Sequence, residues 1–280
     1  MQLSRGARWG LRVATGLVLA FLYAPIVVIA IYAFNDRRTQ QWPLEGVSTQ
    51  WFDKAFHNQG VRDALWTSVQ AGLGATAIAL VLGTLAAFAV ARYDFFGRES
   101  VSFLVVLPIA LPGIVTGMAL NSTFTEVLGV DLTLFTVIVG HATFCIVVVY
   151  NNAVARLRRT STSFEEASAD LGAHSWQTFR HVTFPQLRSA LVAGALLAFA
   201  LSFDEVIVTT FTAGDGETLP IWILDNLSRP NNLPVVNVVG VVVILLSIIP
   251  VYIATRLTSD PVQSAAPGGG GDKVAAAPVP

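Results

Sequence analysis

The residues best suited to chemistry in this sequence are carboxylates placed within or beside long apolar segments. Ser202, Asp204 and Glu205 interrupt the apolar run 190–212, and Glu166 lies in a polar segment between two such runs. A carboxylate in mid-membrane costs at least ~2.5 kcal/mol on insertion scales, so it faces a water-filled path or a polar partner rather than lipid. We interpret Ser202, Asp204 and Glu205 as a candidate substrate pathway. The alternative is that hydrogen bonds between packed helices satisfy the pair.

The segment around Glu166 predicts a helix that ends at a glycine. Ser163 precedes Glu166 by three positions, which is the spacing of a capping box, and this predicts a helix start at the serine. Gly172 is suited to the left-handed backbone position that ends a helix.

A second short helix is predicted directly after that glycine. Ser175 would cap a helix over Trp176–His181, and Pro185 would stop that helix from running on. The product is a helical hairpin that carries the aromatic residues Phe164, Trp176 and Phe179 on a polar background.

The spacing within this segment resembles the EAA loop of ABC importer permeases. Glu166-Ala167 is followed by Gly172 six positions after the glutamate, by Val182 ten positions after the glycine, and by Phe184-Pro185. Ser168 replaces the second alanine of that loop, and Phe184 replaces its usual leucine. In that family the loop is cytoplasmic and docks into a cleft of the ATPase subunit. The resemblance therefore implies ATPase coupling within a loop at about residues 153–188, through Glu166, Ala167, Gly172, Trp176, Phe179, Val182 and Pro185; an ordinary polar loop is the alternative.

The composition indicates an integral membrane protein. Of the 280 residues, 54% are hydrophobic and 12% are charged, about half the charged fraction usual in soluble domains. Six apolar runs are long enough to cross ~30 Å of hydrocarbon: 11–34, 65–91, 101–120, 134–150, 190–212 and 235–254. We predict an all-α membrane protein with six transmembrane helices over residues 1–258. The tail 259–280, rich in Gly, Ala and Pro, lacks the apolar content to fold and is predicted to be disordered.

The placement of the basic residues predicts an orientation. Twelve of the 17 Lys and Arg residues lie at the two ends, between the second and third runs, and between the fourth and fifth runs. By the positive-inside bias, both termini and the Glu166 segment are cytoplasmic, and the connections 35–64 and 213–234 lie outside. We therefore expect a multi-pass protein of the cytoplasmic (inner) membrane, surrounded by lipid.

Two of the apolar runs carry packing signals. Pro108 and Pro112-Gly113 are expected to break the helix of the third run twice. In the second run, a ridge of small residues recurs every four positions and predicts close helix packing: Ala75, Ala79, Gly83 and Ala87.

Other polar and aromatic residues of the chain favour packing over chemistry. His141 and the lone cysteine, Cys145, share one helical face, but two ligands do not make a metal site, and a hydrogen-bonded packed pair is favoured. Trp42, Trp51 and Phe52 of the outer segment are expected at the membrane interface or on the outer ends of the spans. A contact surface for an external protein is the alternative.

Further motifs narrow the resemblance within these permeases. The stretch 107–115, then Ser202-Phe203-Asp204-Glu205, Phe211-Thr212-Ala213-Gly214 and Thr218-Leu219-Pro220 are similar to the second permease subunit of polyamine importers. That resemblance implies the type I ABC importer permease fold and alternating-access transport of spermidine- or putrescine-like cations. It also implies a dimeric ATPase subunit, a second and related permease chain, and an extracytoplasmic substrate-binding protein.

No Gly-rich phosphate loop ending in Lys-Ser/Thr occurs in the sequence, so we expect no catalysis by this chain and nucleotide binding on another. No cofactor, metal or nucleic-acid partner is expected. Three alternatives stay open: the same architecture for another solute such as iron, thiamine or an oxyanion, a secondary transporter, and a membrane anchor without transport. An anion carrier should avoid Asp204 and Glu205 on its path, and a secondary transporter typically shows internal repeats, which we do not find.

Overall fold

The computed structural model describes residues 4–44, 46–229 and 231–258, and these residues are helical, without a β-strand beyond one bridge between Asn35 and Val47. The helices are α1 Arg5–Ala33, α2 Gln50–His57, α3 Gln59–Arg92, α4 Arg98–Ala110, α5 Gly113–Ser122, α6 Leu134–Arg159, α7 Ser163–Asp170, α8 Ser175–Thr178, α9 Phe184–Phe203, α10 Ile207–Thr212, α11 Leu219–Leu227 and α12 Leu233–Thr258. Two π-helical turns, Thr123–Val127 and Phe179–Thr183, follow α5 and α8. The predicted all-α class is confirmed. The predicted disordered tail 259–280 lies outside the described residues.

The candidate membrane spans are among the longest helices of the chain. Four are long and apolar enough to cross a bilayer, namely α1, α3, α6 and the continuous helix Ser175–Phe203. A fifth span results if α4 and the α5 segment, bent by 103°, cross together. The apolar section of α12 within the described residues is Leu233–Ile249. The described residues thus hold four or five candidate spans, and the sixth, over α12, stays a prediction.

The long helix α3 is the centre of the bundle, and both α6 and α9 pack against it. The predicted ridge of small residues is confirmed as its contact face, since Ala75, Ala79, Gly83 and Ala87 are all buried. A Cβ atom on Gly83 would lie 2.9 Å from the carbonyl oxygen of Ile146 in α6, so a larger residue would force the helices apart. Close backbone approach over small residues is a usual way to associate helices in lipid, where no hydrophobic force drives them together.

The third apolar run is broken once, at Leu111-Pro112, so the expected break at Pro108 is wrong. Pro108 lies inside α4, where it removes one helical hydrogen bond without ending the helix. Leu111 is extended, with φ −81° and ψ 144°, as the residue before a proline tends to be, and α5 then starts at Gly113.

The fifth apolar run is also two helices rather than the single predicted span. α9 ends at Phe203, Asp204 takes the C-cap position, and α10 starts at Ile207. A side-chain oxygen of Glu205 accepts the N–H of Val208 at 2.9 Å, and this bond satisfies a free donor at the start of α10. The acidic pair therefore lies in a helix break, where the rule that successive helical residues point ~100° apart no longer fixes their directions.

The predicted capping box at Ser163 is wrong. Thr162 precedes α7, and its carbonyl oxygen accepts the N–H groups of Glu165 and Glu166 at 2.9 and 3.0 Å. The Ser163 hydroxyl instead forms a 2.7 Å hydrogen bond with the hydroxyl of Ser161. The helix still starts at Ser163, as predicted, but no side chain caps it.

Pro185 does not end the second arm of the hairpin, contrary to the prediction. The helix runs continuously from Ser175 to Phe203. The π turn after α8 bonds the N–H of Phe184 to the carbonyl of Phe179, five residues back, and Pro185 then falls in the first turn of α9. A proline is tolerated in a first turn because the N–H that it lacks is not needed there.

Candidate functional site

Glu165 and Glu166 are neighbours in α7 but lie in different surroundings. One oxygen of Glu165 accepts a hydrogen bond from Nε of Arg92 at 3.1 Å and another from the Thr183 hydroxyl at 3.2 Å, and it forms an ion pair with Nη2 of Arg92 at 3.1 Å. Glu166 and Ala167 are exposed, and among the described residues the Glu166 carboxylate has no hydrogen-bond or ion-pair partner. One carboxylate is therefore used inside the chain, and the other is available to a partner.

The glycine turn after α7 has the predicted left-handed conformation, with Gly172 at φ 82°. The N–H of Gly172 donates to the carbonyl of Ala169 at 2.8 Å, and the N–H of Ala173 donates to that of Ser168 at 3.1 Å. This is the hydrogen-bond pattern of a Schellman motif, which satisfies the last carbonyls of a helix and reverses the chain. A hydrogen bond of 3.1 Å between the hydroxyls of Ser168 and Thr178 then joins the two arms. We name residues 163–183 the polar hairpin.

The second arm presents aromatic side chains at the surface of the polar hairpin. Trp176 is 67% exposed and stacks on Phe179, with ring centroids 5.5 Å apart and planes at 28°. The ring of Phe179 also contacts the ring of Phe88 in α3 edge to face, with centroids 5.5 Å apart, so the aromatic stack packs against the helix bundle. Val182 is half-buried in the π turn, and Pro185 is exposed. Four large apolar side chains are exposed on or beside the hairpin: Phe164, Leu171, Trp176 and Phe184.

The acidic pair at the α9–α10 break is divided in the same way. Glu205 is half-buried and caps α10 through Val208, whereas Asp204 is exposed, with no hydrogen-bond or ion-pair partner for its carboxylate among the described residues. Asp204 lines two cavities, one of approximately 470 Å³ between α3, α9 and α12 and one of approximately 280 Å³ beside α11. It is the single charged residue in the lining of both cavities within the part of the chain that the structure describes. The walls are otherwise nearly all apolar and include Phe199, Phe203 and Val243.

The break is held from the side by a fully buried histidine of α6. His141 Nδ1 lies 2.7 Å from the hydroxyl of Ser202, and Nε2 lies 2.8 Å from the hydroxyl of Thr209. The Thr209 hydroxyl donates its proton to the carbonyl of Glu205 at 2.7 Å, so it accepts from His141 Nε2–H, and Nδ1 then accepts from Ser202. This arrangement is a neutral chain of hydrogen bonds that ties the end of α9 to α10.

The predicted packed character of His141 and Cys145 is confirmed. The Cys145 thiol is buried and donates to the carbonyl of Ala198 at 3.3 Å. Among the described residues, no group of three or more His, Cys, Asp or Glu side chains is arranged to hold a metal ion. Ser202, predicted from sequence to belong to the pathway, is buried against His141 and is absent from the linings of both cavities.

Sequence reasoning missed the pair of Arg92 and Glu165, since Arg92 counted only among the basic residues expected inside and Glu165 was not singled out. No local signal pairs two residues 73 positions apart. For His141 a signal existed, because a polar side chain in an apolar span needs a polar partner, and Ser202 and Thr209 were among the polar residues of the next apolar run.

Relatives of this chain are named as transport proteins. The chain is 32% identical to the spermidine/putrescine transport system permease protein PotC of Haemophilus influenzae, over 86% of this chain and 93% of that protein. It is 31% identical to the putrescine transport system permease protein PotI of Escherichia coli, over 81% of this chain and 83% of that protein. A third relative, provisionally named the 2-aminoethylphosphonate transport system permease protein PhnV of Salmonella typhi, is 30% identical over 78% of this chain and 83% of that protein.

The fold and the family agree with these relatives. A bacterial ABC transporter involved in the import of the acidic polysaccharide alginate superposes with a TM-score of 0.69 at 20% identity, over 93% of this chain and all of that one. The structure of a bacterial alginate ABC transporter in complex with a periplasmic protein superposes with a TM-score of 0.64, over 89% of this chain and 92% of that one. The fold is thus that of ABC importer permeases. The family model for binding-protein-dependent transport system inner membrane components matches residues 79–260, and this chain, a membrane permease subunit rather than an enzyme, belongs to that family.

Proposed function

We propose that this chain is one transmembrane subunit of an ATP-driven importer for polyamines. The two relatives named for spermidine/putrescine and putrescine transport support this solute class. The observation that carries the proposal is the position of Asp204, an exposed carboxylate without a partner among the described residues that lines two otherwise nearly apolar cavities.

The chemistry of these cavities suits a polyamine. A polyamine has ammonium groups separated by methylene runs, and Asp204 attracts one ammonium while the apolar walls contact the methylenes. Phe199 and Phe203, with ring centroids 5.8 Å apart, add aromatic faces that attract a cation. One carboxylate holds one ammonium group strongly in a cavity of low dielectric without trapping the whole molecule.

The polar hairpin supports the coupling half of the proposal. We assign the hairpin and the adjoining Pro185 to docking on a separate ATPase dimer, through Glu166, Ala167, Gly172, Trp176, Phe179, Val182 and Pro185. The Glu166 carboxylate is exposed without a partner among the described residues, and Trp176 is 67% exposed. A second permease chain and an external binding protein complete the complex. ATPase closure then moves the hairpin, and α9, which begins there and ends at Asp204, rocks the cavity between outward and inward access.

Transport by the whole complex tests the proposal. The complex is purified through a tag on this chain and reconstituted into proteoliposomes with ATP and the co-purified binding protein. Uptake of radiolabelled putrescine or spermidine is expected, and uptake of thiamine, iron or oxyanions is not. The relative named for 2-aminoethylphosphonate makes that solute, with one amino and one phosphonate group, the second candidate. Its uptake without polyamine uptake would refute the polyamine assignment while keeping an ABC importer.

The orientation is tested by labelling. We propose that both termini and the polar hairpin are cytoplasmic. In a Cys145→Ala background, an impermeant thiol reagent should label Gln40→Cys and Asp215→Cys in intact cells, and Ser175→Cys only after permeabilisation. These three positions are exposed, so reactivity reports the side of the membrane. Labelling of Ser175→Cys in intact cells would invert the topology.

A further inference from the structure

The guanidinium of Arg92 lies where four segments of the cytoplasmic end meet. Arg92 bonds to Glu165 of α7 through Nε, its Nη1 donates to the carbonyl of Leu157 at 3.2 Å, and its Nη2 donates to that of Thr160 at 3.5 Å. Arg92 is the last residue of α3, and Leu157 and Thr160 belong to the end of α6. Because Glu165 also accepts from Thr183 in the π turn, one side chain connects α3, α6, α7 and the start of α9.

This arrangement depends on arginine and on burial. A guanidinium has five N–H donors in a planar fork, and here three of its nitrogens reach a carboxylate and two carbonyls together. The side chains of Arg92 and Glu165 are only 10% and 22% exposed, so water screens their attraction less than at a surface. A lysine presents a single point charge and cannot bond to the same three acceptors at once.

A second arginine pair nearby shows what an ordinary pair looks like. Arg98 and Asp94 are 2.6 Å apart, but they are four residues apart in one segment, and Asp94 is 96% exposed. That pair joins no two helices of the bundle, and exposed pairs of this kind contribute little to stability. It serves as a matched control.

We infer that Arg92 and Glu165 form a rigid joint that fixes the polar hairpin to the ends of α3 and α6, so that a push on the hairpin moves the spans instead of only bending the loop. This inference rests on the proposed function for its coupling role, and it assigns Arg92 as a positioning residue that meets neither ATPase nor solute. Without the joint, Ser168, Thr178 and the turn at Gly172 still keep the hairpin folded.

A distance measurement tests the joint whether or not transport is observed. Spin labels at Ala155→Cys on α6 and Ala169→Cys on α7, both exposed positions, are placed in a Cys145→Ala background in nanodiscs. In the otherwise unaltered chain we expect a narrow distribution of distances between the two labels. The distribution should broaden in Arg92→Ala, broaden less in Arg92→Lys, and stay narrow in Arg98→Ala. Equal widths in Arg92→Ala and its parent, or a broad distribution in the parent itself, would overturn the joint.

Coupling is measured on the reconstituted complex as solute imported per ATP hydrolysed. Arg92→Ala should lower this ratio about tenfold while the ATPase stays bound, because changes along coupling elements alter coupling by amounts of this order. Arg98→Ala should leave the ratio unchanged. Loss of bound ATPase in Arg92→Ala would show that the residue folds the docking surface instead, and an unaltered ratio would refute the coupling role. A parent complex that binds ATPase but imports no polyamine refutes the proposed solute, and the distance data still decide the joint.

Discussion

Two pairs of adjacent carboxylates lie near the two ends of α9, Glu165-Glu166 near its start and Asp204-Glu205 at its end. In each pair, one carboxylate is bonded within this chain and the other is exposed. Glu165 and Glu205 are held by groups of this chain, whereas Glu166 and Asp204 are exposed and have no partner within the described residues. The 20 residues of α9, about 30 Å at ~1.5 Å per residue, run from Thr183, which bonds to Glu165, to Asp204. In each pair the bonded member shapes the backbone that presents the exposed member.

The two pairs differ in how the bonded member is held. Near the ends of α3 and α6, Glu165 is paired with the full positive charge of Arg92. The α9–α10 break is held instead by uncharged hydrogen bonds that join His141 to Ser202 and Thr209. A charge deep in a membrane is costly, whereas one near the water boundary is partly solvated. The neutral network adds no further charge at the break, so under the proposed function Asp204 is the exposed charge that a cationic solute meets there.

The sharpest test of this comparison is Asp204→Asn, which keeps the size of the side chain and removes its charge. Polyamine uptake into proteoliposomes should fall on the order of a hundredfold, since losing one partner of a desolvated charge pair costs ~2–5 kcal/mol. Co-purification of the ATPase and affinity of the external protein should be unchanged. Uptake equal to that of the parent complex would make this carboxylate structural and remove the contrast with Glu205.

Removing His141, which braces the α9–α10 break, should lower uptake less than removing the charge of Asp204 does. His141→Ala leaves the hydroxyls of Ser202 and Thr209 without their shared partner, and losing satisfied buried hydrogen bonds costs ~1–3 kcal/mol. Thermal denaturation of the purified permease should shift downward, and uptake should fall several-fold. Cys145→Ala, one turn along α6, loses one bond to Ala198 within α9 but none across the break, so it is the control and should lower both readouts less. If the two variants denature alike, His141 does not brace the break.

At the opposite end of α9, Gly172→Val tests whether the hairpin turn presents Glu166. A β-branched residue at φ 82° costs on the order of 1–2 kcal/mol, so the turn should distort and ATPase retention on the permease should fall. Gly97→Val is matched, because Gly97 has φ 85° in another loop and likewise has open space around its Cβ position. Retention that falls equally in both variants would indicate general misfolding instead of a defect in docking.

The smallest expected effect is that of Glu205→Gln, which changes the bonded carboxylate at the α9–α10 break. Glu205→Gln still offers an oxygen to the N–H of Val208, so uptake should remain within about twofold of the parent, whereas Glu205→Ala should lose a cap worth ~1 kcal/mol. Uptake and thermal denaturation measured together separate the two variants. A loss in Glu205→Gln as large as that in Asp204→Asn would show that both carboxylates meet the solute.

The sequence by itself determined the features that depend on local spacing. Apolar run lengths predicted the long helices α1, α3 and α6, the four-residue ridge predicted the face of α3 that meets α6, and the left-handed turn was read from Gly172. These follow from the period of the helix and from the conformational freedom of glycine, both of which act within a few residues.

Only the tertiary structure decided which carboxylate of each pair is bonded and where the fifth run breaks. Periodicity cannot distinguish Asp204 from Glu205 or Glu165 from Glu166, because both members of a pair have the same charge and nearly the same position. Glu165 is bonded by Arg92, which lies 73 residues away in the chain. Glu205 bonds locally to Val208, but the break that permits this cap is braced by His141, whose partners lie 61 and 68 residues away. A hydrogen bond over that separation forms only once the helices have packed, so no local pattern in the sequence encodes it.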